Sequence, residues 1–242
     1  MGASRLPNKV LMPLAGKPVL EHVVRRCQHA QLVERVIVAT TVDSKDIPIV
    51  NFVSGLNISV FCGAVNDVLD RYYQAARLFG IRHIVRITAD CPIIDPDIID
   101  RVIGEYFDTG ADYATNTLKE TYPDGEDVEV FSFDILSRAW NDAKIPSERE
   151  HVTPYIRKND VFKKTNLVSK VDLSQHRWTL DEPRDYDKLS AIFDALYKED
   201  IFFHMKDVLN FLSDHPEVDR INSDINRNEG YTKSLINDGG AS

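Results

Sequence analysis

Short β-branched runs alternate, through the first half of the chain, with stretches whose apolar residues recur every three or four positions. The runs at 36–40, 58–61 and 84–88 read as strands, and the stretches between them as helices. Leu20, Val23, Val24 and Cys27 form one helical stripe, Val68, Tyr72, Ala75, Ala76 and Phe79 a second, and Ile99, Val102, Ile103, Tyr106 and Phe107 a third. Strand and helix in alternation predict an α/β fold, a mostly parallel central sheet flanked by helices.

After Gly110 the rhythm changes. Strand signals at 113–115, 127–132 and 164–168 mix with helical stretches near 135–143 and 148–158 and with the loop Tyr122-Pro123-Asp124-Gly125. Within a single domain spanning 1–242, the section 111–170 reads as an insertion that completes a pocket for an acceptor. Tyr186, Leu189, Ile192, Phe193 and Leu196 mark a further helix, and Met205, Val208, Leu209 and Leu212 the next. Residues 200–242 therefore read as a helical C-terminal extension, with a polar end that frays.

A chain of 242 residues can bury a substantial core. Its net charge of -9 speaks against a nucleic-acid or anionic-membrane partner, both of which reward an excess of Lys and Arg. No apolar run approaches the roughly 18 to 20 residues that span a bilayer. Cys27, Cys62 and Cys91 form no CxxC pair and suit the reduced thiols of a cytoplasmic protein.

Candidate chemistry begins at the N-terminus. Gly2 permits close backbone approach in a small-residue turn, and Arg5 and Lys9 bring positive charge to it, a combination suited to a triphosphate. Such a loop normally leaves a buried parallel strand, yet only Met1 precedes it here, so the first strand of the sheet is expected to be absent. Lys17, at a helix start, either serves the same phosphates or decorates the surface. Asp90 follows the third apolar strand, where a carboxylate overlooks the ligand crevice of an open α/β sheet and can hold a divalent metal. Asp95, before Pro96, reads instead as a helix cap. Asp181 ends a strand that starts at Arg177; it either shares a Mg²⁺ with Asp90 or caps the helix opened by Pro183. Tyr122, Asp124, Glu129, Arg149 and His151 place donors and acceptors near aromatic rings, as a sugar or sugar acid requires.

Taken together, Ser4-Arg5-Leu6-Pro7-Asn8-Lys9, Gly16-Lys17-Pro18, Asp67-Val68-Leu69-Asp70-Arg71-Tyr72, Asp90-Cys91-Pro92-Ile93-Ile94-Asp95-Pro96, Tyr122-Pro123-Asp124-Gly125, Arg149-Glu150-His151-Val152-Thr153-Pro154 and Arg227-Asn228-Glu229-Gly230-Tyr231 run nearly end to end. The chain so resembles the cytidylyltransferase family of surface-polysaccharide synthesis, in particular the group called spore coat polysaccharide biosynthesis protein F, related to the CMP-sialic acid and CMP-Kdo synthetases. The resemblance implies a Rossmann-like nucleotide-diphospho-sugar transferase fold and CTP as co-substrate. It further implies Gly2, Ser4, Arg5 and Lys9 at the phosphates, Ala39 and Thr40 near the nucleoside, Arg71 near the base or the acceptor, and Asp90 and Asp181 on Mg²⁺. A homodimer would be in keeping with it.

The expected reaction is in-line attack by a hydroxyl of a nonulosonic-type sugar acid on the α-phosphorus of CTP, with release of pyrophosphate. Arg5 and Lys9 would stabilise the leaving group, and His151 is the candidate proton acceptor. A glycosyltransferase of the same fold is the competing reading, although Asp90-Cys91-Pro92 lacks the Asp-x-Asp word such enzymes commonly carry. A non-catalytic nucleotide-binding relative is the third.

Overall fold

The computed structural model describes residues 5–199 and 201–238. A hairpin of β1 (Pro13–Leu14) and β2 (Lys17–Pro18) leads into α1 (Val19–His29). Ala15 and Gly16 make its turn with φ of +46° and +79°, the left-handed pair that matches the twist of a tight hairpin. Next come β3 (Ile37–Thr41), α2 (Ile47–Gly55), β4 (Ser59–Gly63), α3 (Val68–Leu78), β5 (His83–Arg86) and α4 (Pro96–Thr109). This is the alternation expected from the apolar pattern, with strand ends shifted by a residue or two.

The second half holds β6 (Tyr113–Thr115), β7 (Glu129–Ser132), α5 (Phe133–Asp142), α6 (Pro146–His151), α7 (Pro154–Lys158) and β8 (Lys164–Asn166). It ends in α8 (Pro183–Leu196), α9 (Met205–Asp214), the short α10 (Pro216–Asp219) and α11 (Glu229–Asp238). Strands β3 and β4 pair in parallel, and a separate sheet runs in the order β5-β7-β6-β8. In that sheet β7 is antiparallel to both neighbours while β6 and β8 are parallel, so β5, β6 and β8 share one direction. The section 111–170 supplies the centre of the larger sheet, because the chain turns back after β6 and inserts β7 beside β5.

Helices pack through distinct apolar clusters, two of them on this sheet. One gathers Cys27, Ile99, Val102, Ile103 and Tyr106 from α1 and α4 against Ala114 and Val130. Another sets Leu69, Leu136 and Ile156 from α3, α5 and α7 against Tyr113 and Phe131. A third packs α8 and α9 through Leu189, Phe193 and Val208 onto Trp178 and Leu180. Burial of this kind, at about 25 cal/mol per Å², is the main force holding the strand ends in place.

Two expectations need correcting. The stretch 148–158 is not one helix, because the chain breaks at Val152 between α6 and α7. The segment 177–180 is not a regular strand: Arg177 forms a lone parallel bridge with Asp124, and Leu180 N–H donates to Asp90 O at 2.8 Å. Squeezed between two loops, it finds partners one residue at a time. No helix among the described residues is long and apolar enough to cross a membrane.

Candidate active site

Local turns bring the basic and acidic elements together. Asn8 adopts φ +63° and starts a short 3₁₀ turn over Lys9–Leu11. Lys9 Nζ lies 2.6 Å from Asp90 Oδ2 and 2.8 Å from Asp181 Oδ1. Neither carboxylate is consumed by helix capping. Asp95 caps α4, accepting from Asp97 N–H at 2.9 Å, and Glu182 with Asp185 forms the capping box of α8. Burial pushes the Asp90 carboxyl up, but the charge and hydrogen bond of Lys9 outweigh it and leave Asp90 below the ordinary aspartate value. Burial equally opposes the Lys9 charge, and the two carboxylates hold its pKa above normal.

Arg5 extends this ionic cluster, with Asp181 at 3.4 Å and Glu182 and Glu229 at 3.1 Å. Arg177 braces it from below. Its guanidinium reaches Asp185 at 2.9 Å, Asp124 at 2.8 Å and Asp181 at 3.1 Å, which fixes the orientation of Asp181. Asp124 is presented by the Tyr122–Gly125 loop, where Gly125 has φ +110° and any Cβ would stand 2.8 Å from Thr179 N. Only glycine allows that approach. Burial and the nearby Asp127 push the Asp124 carboxyl up to about 7.

A cavity of about 540 Å³ opens from this cluster. Arg5, Asp90, Arg177 and Asp181 of the ionic cluster form one part of its wall, and Arg86, Glu129, His151, Thr153 and Arg157 form a second. Register explains the second wall: Arg86 on β5 and Thr115 on β6 both stand opposite Glu129 on β7. Glu129 accepts from Arg86, Tyr113 and Thr153, and burial notwithstanding, the Arg86 charge holds it below the ordinary glutamate value. Val152, wholly buried at φ +73° and ψ −56°, is the centre of a γ-turn in which Thr153 N–H donates to His151 O at 2.9 Å. This rare turn lets His151 and Thr153 both face the cavity. Burial lowers the His151 pKa, so its ring is neutral at pH 7.

The remaining sequence candidates lie elsewhere. Arg149 forks onto Asp67 at 2.6 Å and donates to Trp140 O, tying α6 to the start of α3 away from the cavity wall. Tyr122 is buried, 1 % exposed, and does not line the cavity. Lys17 pairs with Glu199 at 2.5 Å. Ala39 and Thr40 sit on β3, the Thr40 hydroxyl bonded to Asp46 at 2.7 Å, while Arg71 on α3 donates to Ala64 O at 2.7 Å; none of the three lines the cavity. Gly2 and Ser4 lie outside the described residues.

Residues that the sequence reading left without a role also line the cavity. Asn226, Asn228, Glu229, Gly230 and Tyr231 close one side of it. Arg227 anchors this strap to Asp127 and to Tyr122 O, and Ser234 on α11 bonds His151 at 3.0 Å and Glu150 at 2.8 Å. The Arg227-Asn228-Glu229-Gly230-Tyr231 word was the available signal.

Two oxygen-donor carboxylates converging on one ammonium also suit a hard divalent cation, so Asp90 and Asp181 fit a Mg²⁺ role. The cavity wall thus combines mixed charge, which can meet phosphate oxygens, with donors and acceptors that can meet hydroxyls. Residues 1–214 match the cytidylyltransferase family, and the chain belongs to it. It is accordingly a nucleotidyltransferase. The chain is 28% identical over 201 residues to the spore coat polysaccharide biosynthesis protein SpsF of Bacillus subtilis, covering 80% of this chain and 82% of that protein. It is 36% identical over 144 residues to a 3-deoxy-manno-octulosonate cytidylyltransferase of Anaeromyxobacter dehalogenans, 59% of this chain and 57% of that one. A solved cytidylyltransferase from Leptospira borgpetersenii superposes with a TM-score of 0.86 at 30% identity, covering 91% of this chain and 93% of its own.

Proposed function

We propose that this chain transfers CMP from CTP to a sugar acid, with Mg²⁺ and with release of pyrophosphate, in the synthesis of a surface polysaccharide or glycan. The observation that carries this reading is the meeting of Lys9 with Asp90, Asp181 and Arg5, the last three of which line a polar-walled cavity. Arg5 and Lys9 would bind the phosphates and stabilise the departing pyrophosphate. Asp90 and Asp181 would hold Mg²⁺, which when bound neutralises phosphate charge and raises the acidity of nearby hydroxyls.

Asp124 beside Arg177, and His151 with the Glu129 wall, would position the acceptor. Its hydroxyl oxygen forms the new bond to the α-phosphorus as the bond to pyrophosphate breaks, and the hydroxyl proton passes to the neutral His151 ring. The nucleoside assignment rests on Ala39, Thr40 and Arg71, and the soluble, cytoplasmic setting on the charge and cysteine pattern. The test is pyrophosphate release from CTP and Mg²⁺ with a panel of 2-keto-3-deoxy sugar acids, run beside Asp90→Asn. Turnover in the parent chain that falls at least a hundredfold in the variant, with melting temperature preserved, is the expected result. Full activity in Asp90→Asn, or an acceptor-independent consumption of CTP, would remove the reading.

A further inference from the structure

The cavity wall is nearly self-neutralising, and the places where it is not are informative. Asp90 and Asp181 share Lys9; Asp124 faces Arg177; Asp127 faces Arg227; Glu129 faces Arg86; and Glu229 faces Arg5. Among the cations lining the cavity, Arg157 and Lys158 stand apart: neither forms an ion pair with a carboxylate among the described residues. Both belong to the last turn of α7, and Arg157 stands beside the end of β6, across β7 from β5, whose following loop carries Asp90. Arg157 is oriented by a hydrogen bond from one of its terminal nitrogens to Thr117 O at 3.1 Å. That bond uses a single donor of a guanidinium that carries five, and the rest of the fork remains for a ligand.

We infer that Arg157, with Lys158 beside it, seats the carboxylate of the acceptor. The inference rests on the sugar-acid reading given above and adds to it the place and polarity of recognition. Among the described residues, Arg157 and Lys158 are the lining cations without a carboxylate at ion-pair distance, so the acceptor enters with its carboxylate toward Arg157. Its hydroxyls then lie along Thr153, Glu129 and His151, and the reacting hydroxyl points to the phosphates. A guanidinium can bind a carboxylate through two parallel hydrogen bonds, which fixes direction as well as affinity. A neutral sugar forgoes that contact. Arg157 is thus a specificity residue that discriminates by charge.

The experiment uses the full chain with CTP and Mg²⁺, the panel of 2-keto-3-deoxy sugar acids, and the carboxamide of each acid as a neutral probe. Arg157→Gln is expected to raise KM for the acid at least tenfold, in line with the loss of charged hydrogen bonds. Preference for acid over carboxamide should shrink by a similar factor, while CTP affinity, measured by calorimetry, stays within about twofold of the parent chain. Arg157→Lys keeps a charge and should recover part of the acid preference, and Lys158→Gln should show a smaller effect of the same sign. An unchanged acid-over-carboxamide ratio in Arg157→Gln overturns the assignment, as does a parent chain that turns over sugar phosphates in place of sugar acids. A parent chain that binds CTP and uses none of these acids defeats the acceptor reading itself and takes the carboxylate seat with it; that failure is visible before any substitution is made.

Discussion

Glu129→Gln distinguishes a brace of the cavity wall from a direct ligand of the acceptor. Glu129 is 4 % exposed and its carboxylate receives Arg86, Tyr113 and Thr153. Glutamine preserves shape and one acceptor oxygen but removes the negative charge opposite Arg86, whose side chain is only 17% exposed. Stranding one member of a buried ion pair costs about 3 to 5 kcal/mol, and partial exposure of Arg86 puts the expected loss near ~3 kcal/mol. For a chain of this size that lowers the melting temperature by roughly 6 to 12 °C. Thermal and urea unfolding followed by circular dichroism provide the assay. Adding Arg86→Met to the glutamine variant removes the uncompensated charge and should restore much of the loss. The pH dependence has a defined sign: Glu129 has a lowered pKa in the folded state, so its contribution is complete above 4.5, the ordinary glutamate value, and fades as pH falls below it. The gap between parent and variant therefore narrows in acid. A Glu129→Gln protein that melts with the parent chain but has lost acceptor affinity would refute the brace and make Glu129 a ligand.

Other expectations follow from the same contacts. Glu229→Gln frees Arg5 from a half-exposed partner at 3.1 Å and should tighten CTP binding about two- to fivefold by calorimetry, since such pairs are worth up to about 1 kcal/mol; weaker binding would show that Glu229 helps to hold nucleotide. Gly125→Ala places a Cβ 2.8 Å from the backbone at Thr179 with φ +110°, so it should cost about 2 kcal/mol in unfolding experiments and reduce turnover by moving the segment that carries Asp181; unchanged melting would contradict the close approach. His204 has a raised pKa: burial opposes its charge, and Asp95, 3.0 Å away, outweighs burial. Its stabilising contribution is complete below pH 6.5 and is lost as pH rises through the folded value, so His204→Asn should flatten the melting profile across that interval.

Patterns that depend on neighbouring residues were readable from the chain, and those that depend on distant partners were not. The β-branched runs and helical stripes gave β3, β4, β5, α1, α3 and α4 because side-chain periodicity is a local property. Likewise Asp90, Asp181 and Lys9 were selected by their positions beside strands and turns, and the fold brings them within hydrogen-bonding distance. The insertion of β7 between β5 and β6 has no local signature, since a strand's own residues do not state its direction relative to others. Arg149 looked accessible at a helix entry, but the fork onto Asp67 depends on α3 packing against α6. The break at Val152 was hidden for another reason: valine is among the residues least expected at positive φ, so its composition argues for a continuous helix.

That γ-turn has an evolutionary consequence. A β-branched residue at φ +73° is held there by surrounding packing, at a conformational cost on the order of 1 to 3 kcal/mol. Replacements that relax the backbone would make the protein hardier while letting the imidazole and the neighbouring threonine drift out of alignment. Selection for endurance and selection for turnover pull this position in opposite directions, and lineages adapted to heat would have to gain their robustness elsewhere in the chain.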